Sequence, residues 1–239
     1  MITFSNKYRS QQTEIMDDLN FQGEEMKNLL EDLKTVNKWL GGNNISIDGI
    51  EKLLKGHPKE NKLTILDIGC GDGELLRNCA LYAKKNELKF ECIGIDFNEN
   101  ILNYAENQSK EFPNIKFIKV DAFLEEELIP NCDIAICTLF MHHFSNENIE
   151  GLLKIMLNKS KKGLVINDLE RSRMAFNLFK IGSKLFLKTK TAKHDGLVSI
   201  ARGFKKPELQ ALSEKIPNQQ SIIQWRWAFR YQWILKKTI

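Results

Sequence analysis

The sequence has no long hydrophobic run. No stretch approaches the roughly 18 uncharged apolar residues that a membrane-spanning helix needs, and residues 1–9 lack the basic and then apolar order of a signal peptide. We therefore expect a soluble, unexported, cytoplasmic protein. Its 239 residues, 42% of them hydrophobic, suffice for one globular domain with a substantial core.

Paired cysteines are also missing. The five cysteines are an odd number without a CxxC pair, and no histidine lies at zinc-ligand spacing from them. These absences argue against a disulfide framework and against a metal site. We expect reduced, mostly buried thiols and no bound metal.

Acidic residues are scarce in the last third of the chain. Residues 161–239 contain 17 Lys and Arg against 5 Asp and Glu, whereas residues 1–160 contain 18 against 26. A basic C-terminal surface is therefore expected, and it could meet an anionic substrate, a membrane or a nucleic acid.

Helical and strand patterns alternate along most of the chain. Residues 24–40 carry apolar side chains at helical spacing, and a second short helix is predicted near residues 47–54. Compact apolar runs, which predict strands, then alternate with helical segments, and they lie at residues 63–68, 89–95, 115–120, 132–138 and 163–167. The tail, residues 221–236, could add two more strands. This alternation predicts an α/β fold with a doubly wound, mainly parallel, seven-stranded Rossmann-like sheet.

The most specific motif is a strand that runs into a glycine-rich turn. It reads Leu-Asp-Ile-Gly-Cys-Gly-Asp-Gly over residues 66–73, and a helix is predicted to begin near Glu74. Such a turn lets the backbone approach a ligand at the helix N-terminus. A dinucleotide fingerprint needs a glycine at position 74, so the spacing points away from NAD. The carboxylates of Asp67, Asp72 and Glu74 favour instead a ligand that carries an ammonium and a sulfonium.

These residues resemble the (D/E)xGxGxG motif of class I S-adenosylmethionine-dependent methyltransferases. The resemblance implies S-adenosylmethionine as cofactor and S-adenosylhomocysteine as product. It also implies that Asp96, which ends the second strand, holds the ribose and that Phe97 packs on the adenine. The implied cofactor-binding residues are Asp67, Gly69, Cys70, Gly71, Gly73, Asp96, Phe97, Asp121, Ala122, Thr138 and Leu139.

The segment after the fourth strand bears on the methyl acceptor. Residues 140–144 read Phe-Met-His-His-Phe, without the (D/N/S)PP(Y/F/W) motif of enzymes that methylate base amino groups. This segment looks like that of small-molecule methyltransferases, including those of quinone biosynthesis. Residues 14–18 with 37–42, 167–172 and 194–204 resemble a narrower bacterial group associated with type III polyketide synthases. The resemblance implies a small aromatic or lipophilic acceptor. O-methylation of a phenolic or polyketide-like compound is the leading hypothesis, and C-methylation of a quinol-type ring is the alternative.

A phenolic acceptor must lose a proton, and histidine is the natural base near neutral pH. The candidate catalytic residues are His142, His143 and His194, although each could instead cap a helix, fill space or shape a turn. The candidate substrate-binding residues are Trp39, Phe140, His143, Asp168, Arg171 and Arg202. A helix cap or a surface role is the alternative for the last three.

Residues 171–190 predict a basic amphipathic helix. Its repeated apolar positions are Met174, Leu178, Ile181 and Leu185, and its basic stripe is Lys180, Lys184 and Lys188. The apolar face could roof the methyl site while the lysines face solvent or a membrane surface, or the helix could pack on its own domain. We divide the chain into an N-terminal helical cap (1–60) and a methyltransferase domain (61–239) with a lid-like insertion over 171–205.

An RNA methyltransferase or RNA-binding module is the alternative of another class. Residues 225–231 interleave bases with aromatic side chains, as a stacking surface does. The same alternation is typical of a half-buried strand, and no separate RNA module is evident. We therefore expect no nucleic-acid partner, and we expect a monomer or a homodimer.

Overall fold

A seven-stranded sheet forms the centre of the protein. The structure, a computed structural model, describes residues 2–18, 20–56 and 58–238. The strands are β1 (Lys62–Ile68), β2 (Lys89–Asp96), β3 (Ile115–Lys119), β4 (Cys132–Thr138), β5 (Ser160–Leu169), β6 (Gln219–Arg226) and β7 (Arg230–Lys237). Their order is β3-β2-β1-β4-β5-β7-β6. Strands β1 to β5 are parallel, whereas β7 is antiparallel to β5 and β6. The predicted Rossmann-like sheet is confirmed.

Helices cover both faces of this sheet. They are α1 (Gly23–Trp39), α2 (Gly42–Leu54), α3 (Glu74–Lys85), α4 (Glu99–Gln108), α5 (Asn146–Lys159), α6 (Arg173–Phe186), α7 (Lys190–Arg202) and α8 (Lys206–Glu214). Short 3-10 helices lie at Ile15–Asp17, Glu126–Leu128 and Met141–His143. Within the described ranges, no helix has both the length and the apolar character to cross a membrane.

Alternating side chains of β1 show how the two layers form. Leu63 and Ile65 pack with α2 and α3 on one face, whereas Leu66 and Ile68 pack with α5 and α8 on the other. Successive strand residues point to opposite faces, so a strand between two helical layers is apolar on both. The five cysteines are unpaired and buried, as expected.

Helix α2 closes one end of the sheet. A Cβ on Gly49 would lie 2.4 Å from Cγ1 of Val165 in β5, so glycine permits a close approach of helix and strand here. The amide of Asn167 donates to the Gly42 carbonyl at 2.9 Å. These contacts hold the beginning of α2 over the carboxyl ends of β4 and β5, where open α/β sheets bind their ligands.

Two local predictions are wrong. His194, expected in a turn, lies inside helix α7. The four repeated apolar residues of α6, expected on a buried face, are 55–76% exposed. Ala175, Phe176 and Phe179 on an adjacent face make the inward contacts. The helix has apolar side chains on two adjacent faces, and the sequence alone does not indicate which of the two faces is buried.

Candidate active site

A cavity of about 640 Å³ lies at the carboxyl ends of the parallel strands. Its walls run from the glycine turn after β1, past the segment after β4, to α6 and to the turn between β6 and β7. Most of the lining is apolar, and its volume is typical of small-molecule sites, which span about 300–1,000 Å³.

Backbone hydrogen bonds tie the glycine turn to the end of β2. The amides of Gly69 and Cys70 donate to the Ile95 carbonyl at 3.0 and 3.1 Å. The amide of Gly71 donates to a carboxylate oxygen of Asp96 at 3.2 Å. Gly71 has a φ of 53°, and a Cβ there would meet nothing within 4 Å. The turn therefore presents bare backbone to the cavity, and the other Asp96 oxygen is held by the Asn98 amide at 3.0 Å.

This end of the cavity is strongly acidic. Burial, together with the charges of Asp96 and Asp72, raises the pKa of Asp67 well above its ordinary value. Burial also raises the pKa of Asp96. Among the described residues, the buried Oδ1 of Asp67 has no hydrogen-bond partner. A ligand with a sulfonium and an ammonium fits this arrangement, because its positive charge stabilises the ionised carboxylates.

Most of the predicted cofactor-binding residues line the cavity. They are Asp67, Gly69, Cys70, Gly71, Asp96, Phe97, Thr138 and Leu139. Gly73, Asp121 and Ala122 are outside its lining. One Asp121 oxygen instead accepts from the amides of Phe123 and Leu124 at 2.9 and 3.2 Å, which stabilises the turn after β3.

Two adjacent histidines meet a carboxylate cluster at the far side of the cavity. His142 is 2% exposed, with Nδ1 2.7 Å from Asp168 and Nε2 3.2 Å from Glu14. His143 stacks on the His142 ring with centroids 4.3 Å apart. Nδ1 of His143 lies 2.8 Å from Asp17, and its Nε2 lies 3.9 Å from Glu14. Both rings therefore have a carboxylate close to Nδ1, but only that of His142 is hydrogen-bonded to it, since Nδ1 of His143 has no well-aligned hydrogen-bond partner among the described residues.

The pKa of His142 reflects its two carboxylate partners. Burial acts to lower the pKa of His142, but Asp168 and Glu14 outweigh it and raise that pKa to about 9. Burial acts to raise the pKa of Glu14, but His143 and His142 hold it below its ordinary value. His142 is thus an imidazolium at neutral pH that donates to two carboxylates, and in that form it cannot accept a proton.

The His142 cluster predicts a pH-dependent stability. The pKa of His142 is about 9 in the folded protein against an ordinary value of 6.5 for histidine. Its contribution is therefore complete below pH 6.5 and is lost as the pH rises through about 9. We expect the free energy of unfolding of the ligand-free protein to fall by up to roughly 3 kcal/mol over this window.

Urea unfolding at several pH values between 6 and 9.5 measures this loss. The His142→Gln variant should show a flatter profile, because it lacks the titrating ring. An NMR titration of the wild-type ring checks the pKa independently of the variant. A ring that titrates near 6.5, or equal slopes for the two proteins, contradicts the prediction.

Helix α7 positions the segment that carries Glu14 and Asp17. Asp195 accepts from the amides of Ile15 and Met16 at 2.9 and 3.1 Å. His194 lies outside the cavity lining, with Nδ1 2.9 Å from Asp195. The structure thus places His194 behind the site, where it orients a carboxylate that holds the N-terminal segment.

The three predicted polar contacts to substrate also lie outside the cavity lining. Asp168 is paired with His142. Arg171 is 1% exposed and donates to Glu208 and to the Gly203 carbonyl, each at 2.6 Å. Arg202 donates to the carbonyls of His142 and His143. Their places support a positioning role, because each is hydrogen-bonded within the protein, although the buried Nε of Arg171 has no partner among the described residues. Trp39, Phe140 and His143 do line the cavity.

Aromatic side chains form the remaining walls. Phe140 packs edge-on against Phe144 with centroids 4.8 Å apart, and Trp39 packs in the same way against Phe186 at 5.1 Å. Phe179 contributes from α6. Leu178 and Phe186 of this helix also line the cavity, and the role of the helix as a lid stays a prediction. Its predicted contact with a membrane stays a prediction.

Sequence reasoning missed several residues that the fold brings to this cavity. Glu14, Asp17 and Asn37 were noted only as part of a resemblance, and Arg230 only as part of a possible RNA-stacking surface. Nothing local marks them for this cavity, because they lie far along the chain from the glycine and histidine motifs. The pattern of residues 14–18 with 37–42 was the one available signal for the first three.

Glu14, His142 and His143 also present ligand atoms that all lie within 4.8 Å of one another. Two imidazoles and a carboxylate are a donor set that transition metals accept. The protonated His142 ring already balances charge between its two carboxylates, so this arrangement is complete without an ion. Spacing in the sequence could not indicate this cluster, because Glu14 is remote from the histidines.

Comparison with known proteins agrees with the fold and the cavity. Residues 59–233 match the family described as "Methyltransferase domain", and the chain belongs to this family. No curated protein matches the sequence significantly.

Several solved structures share the fold. The plantazolicin methyltransferase BpumL, in complex with S-adenosylhomocysteine, has a TM-score of 0.64 and 17% identity over 87% of this chain and 90% of that one. BamL, in complex with a triazolic desmethylplantazolicin analog and S-adenosylhomocysteine, has a TM-score of 0.65 and 14% identity over 90% and 97%. The magnesium protoporphyrin IX methyltransferase of Synechocystis PCC 6803 has a TM-score of 0.56 and 17% identity over 85% and 87%. Family, fold and acidic glycine turn together identify an S-adenosylmethionine-dependent methyltransferase.

Proposed function

We propose that the protein methylates the phenolic oxygen of a small aromatic acceptor, with His143 as the base. The observation that carries the proposal is the position of His143. Its ring lines the same cavity as Asp96 and the glycine turn, and Asp17 lies 2.8 Å from its Nδ1. The aromatic side chains of Trp39, Phe140 and Phe144 offer flat apolar surfaces for an acceptor ring.

The cofactor end of the cavity binds and orients. Asp96 has spare carboxylate lone pairs for the ribose hydroxyls, and the exposed face of Phe97 is available to the adenine. Asp67 and Asp72 place negative charge beside the glycine turn. S-adenosylmethionine supplies a methyl group on a positively charged sulfur that leaves as a neutral thioether.

The acceptor end removes a proton and excludes water. The carboxylate of Asp17 lies beside Nδ1 of His143, and with its proton on Nδ1 the ring has Nε2 to accept the phenolic proton. The phenolate oxygen then attacks the methyl carbon in line with the carbon–sulfur bond, which requires an approach of about 3 to 3.5 Å. The carboxylates of Asp17 and Glu14 stabilise the positive charge that His143 gains with the proton, against the repulsion of the stacked imidazolium of His142. The aromatic walls keep water from competing for the proton.

Carbon methylation of a quinol-type ring is the second reaction that this geometry supports. The same base would ionise the ring hydroxyl, and attack would come from the ring carbon next to it. RNA as acceptor has less support. Trp225 and Trp227 are 50% and 66% exposed, but Arg230 and Tyr231 are only 2% and 7% exposed, so the residues that suggested stacking do not form one continuous exposed surface.

Incubation of the purified protein with S-adenosylmethionine and matched acceptors tests the proposal. We expect methyl transfer to a phenol, and none to the same compound with its hydroxyl already methylated. Product mass and NMR separate methylation of oxygen from methylation of carbon. An oligoribonucleotide serves as the acceptor of the rival class. Methylation of RNA, with none of any phenol, would contradict the proposal.

A further inference from the structure

Arg230 is a buried cation that the proposed reaction does not use. Its side chain is 2% exposed and lines the cavity. Among the described residues, neither Nε nor Nη1 has a hydrogen-bond partner, although both atoms are buried. A buried guanidinium with unmade hydrogen bonds destabilises a fold, because water has been removed and nothing replaces it.

The charge persists in spite of this burial. Burial lowers the pKa of Arg230 to about 10, against the opposing charge of Asp168. Asp168 is itself hydrogen-bonded to His142 and offers Arg230 no contact among the hydrogen bonds of the described residues. At neutral pH the cavity therefore holds the positive charge of Arg230, whose Nε and Nη1 hydrogen-bond donors are unused among the described residues.

Arg230 lies on the β7 side of the cavity, across β5 from the residues that end β4. Arg230 begins β7 and pairs with Leu169 at the end of β5, two strands from Thr138. Strands are spaced about 4.8 Å apart, so its backbone lies roughly 10 Å across the sheet from β4. A Cβ on Gly42 would lie 2.4 Å from Nη1, so its guanidinium reaches back to the beginning of α2.

Local packing preserves room for the guanidinium. The same Cβ on Gly42 would lie 1.8 Å from Oδ1 of Asn37, which is another buried atom without a partner among the described residues. Any larger residue at position 42 would displace both side chains. The walls next to Arg230 are Trp227, Ala228 and Phe229, which supply no opposing charge.

We propose that Arg230 binds a carboxylate group of a ligand in this cavity. A planar carboxylate accepts two parallel hydrogen bonds from a guanidinium, which satisfies donors that are otherwise unpaired. Arg230 has no second basic residue beside it in the apolar wall, so its single positive charge matches a carboxylate better than a doubly charged phosphate. The proposal rests on the proposed function, because the carboxylate belongs either to the aromatic acceptor or to the methionine end of the cofactor.

Calorimetry with two pairs of probes distinguishes a carboxylate of the cofactor from a carboxylate of the acceptor. The affinity of each probe is measured for the wild-type protein and for the Arg230→Met and Arg230→Lys variants. The cofactor pair is S-adenosylhomocysteine and its decarboxylated analogue. The acceptor pair is 4-hydroxybenzoate and its methyl ester, offered to protein saturated with S-adenosylhomocysteine. Charged hydrogen bonds of this kind correspond to a change of about 10- to 100-fold in affinity.

We expect the wild-type protein to favour the carboxylate member of one pair by that factor and Arg230→Met to lose the preference. The Arg230→Lys variant should keep part of the preference, because lysine retains the positive charge but lacks the two parallel N–H donors of a guanidinium. Preference within the first pair would show that Arg230 binds the carboxylate of the cofactor, and preference within the second pair would show that it binds the carboxylate of the acceptor. Equal affinities within both pairs, or a preference that survives in Arg230→Met, overturn the proposal.

Thermal unfolding of the ligand-free variants separates binding from a structural role. Removal of an unpaired buried charge should leave the melting temperature of Arg230→Met equal to or above that of wild type. A large decrease would show that Arg230 supports the fold and would count against the proposal. Since neither binding arm needs turnover, carboxylate preference can hold even if no phenol is methylated, in which case only the proposed function fails.

Discussion

The His143→Gln variant should lose roughly 10²- to 10⁴-fold in kcat with a phenolic acceptor, which is the usual contribution of a positioned base. S-adenosylmethionine should bind to it normally, because His143 is at the acceptor end of the cavity and Asp96 is at the other. Glutamine retains a polar side chain of similar reach but cannot take up the proton. Single-turnover kinetics with saturating cofactor measure this loss.

Phenols of different acidity reveal whether the loss is chemical. A phenol that is already ionised at the assay pH needs no base, so the variant should methylate it nearly as fast as wild type does. The Asp17→Asn variant should show a smaller loss, because it removes the orienting carboxylate and keeps the ring. Equal losses for weakly and strongly acidic phenols would contradict a base and would indicate a packing defect.

His194 offers a matched control for this experiment. It is the same residue type, but it lies outside the cavity lining and contacts Asp195. The His194→Gln variant should therefore keep the dependence on phenol acidity that wild type shows. Its only expected effect is a modest decrease in stability through the N-terminal segment.

The Asp96→Ala variant should bind S-adenosylmethionine and S-adenosylhomocysteine about 10²- to 10⁴-fold more weakly. This range corresponds to two hydrogen bonds to a charged group, each contributing about 1.5–3 kcal/mol. The substitution also frees the Gly71 amide, which Asp96 holds at 3.2 Å. Isothermal calorimetry measures both affinities, and circular dichroism establishes that the variant is folded.

Asp121 provides the matched carboxylate. It follows β3 as Asp96 ends β2, and the motif resemblance assigned both to the cofactor, but the structure places only Asp96 in the cavity lining. Asp121→Asn should therefore bind the cofactor within a few-fold of wild type. Equal losses of cofactor affinity in the two variants would show that Asp121 also contacts the cofactor, although it lies outside the cavity lining.

Local patterns were sufficient for the strands and for the glycine turn. β1 and β4 are continuous apolar runs, because both faces of a central parallel strand are buried, and the turn after β1 carries its constraint in adjacent glycines. The cofactor residues of β1, β2 and β4 follow directly, since parallel strands present their carboxyl ends at one edge. These features depend on neighbours within about ten residues, so the sequence alone determined them.

The acceptor end depended on contacts between distant parts of the chain. His142 and His143 were visible in the sequence, but the raised pKa of His142 comes from Asp168 and Glu14, which only the fold brings to its ring. Periodicity in α6 showed two apolar stripes, and only tertiary packing decided that Phe179 faces inward and Ile181 faces outward.

Arg230 shows the same limit at a single residue. A basic side chain in an alternating strand indicates a solvent-facing position, and here the beginning of α2 covers it. The sequence by itself thus determined the class of fold, the cofactor motif and the two candidate histidines. Only the tertiary structure decided which carboxylates meet each histidine and which charges line the cavity, because burial and distant partners set the state of an ionisable group.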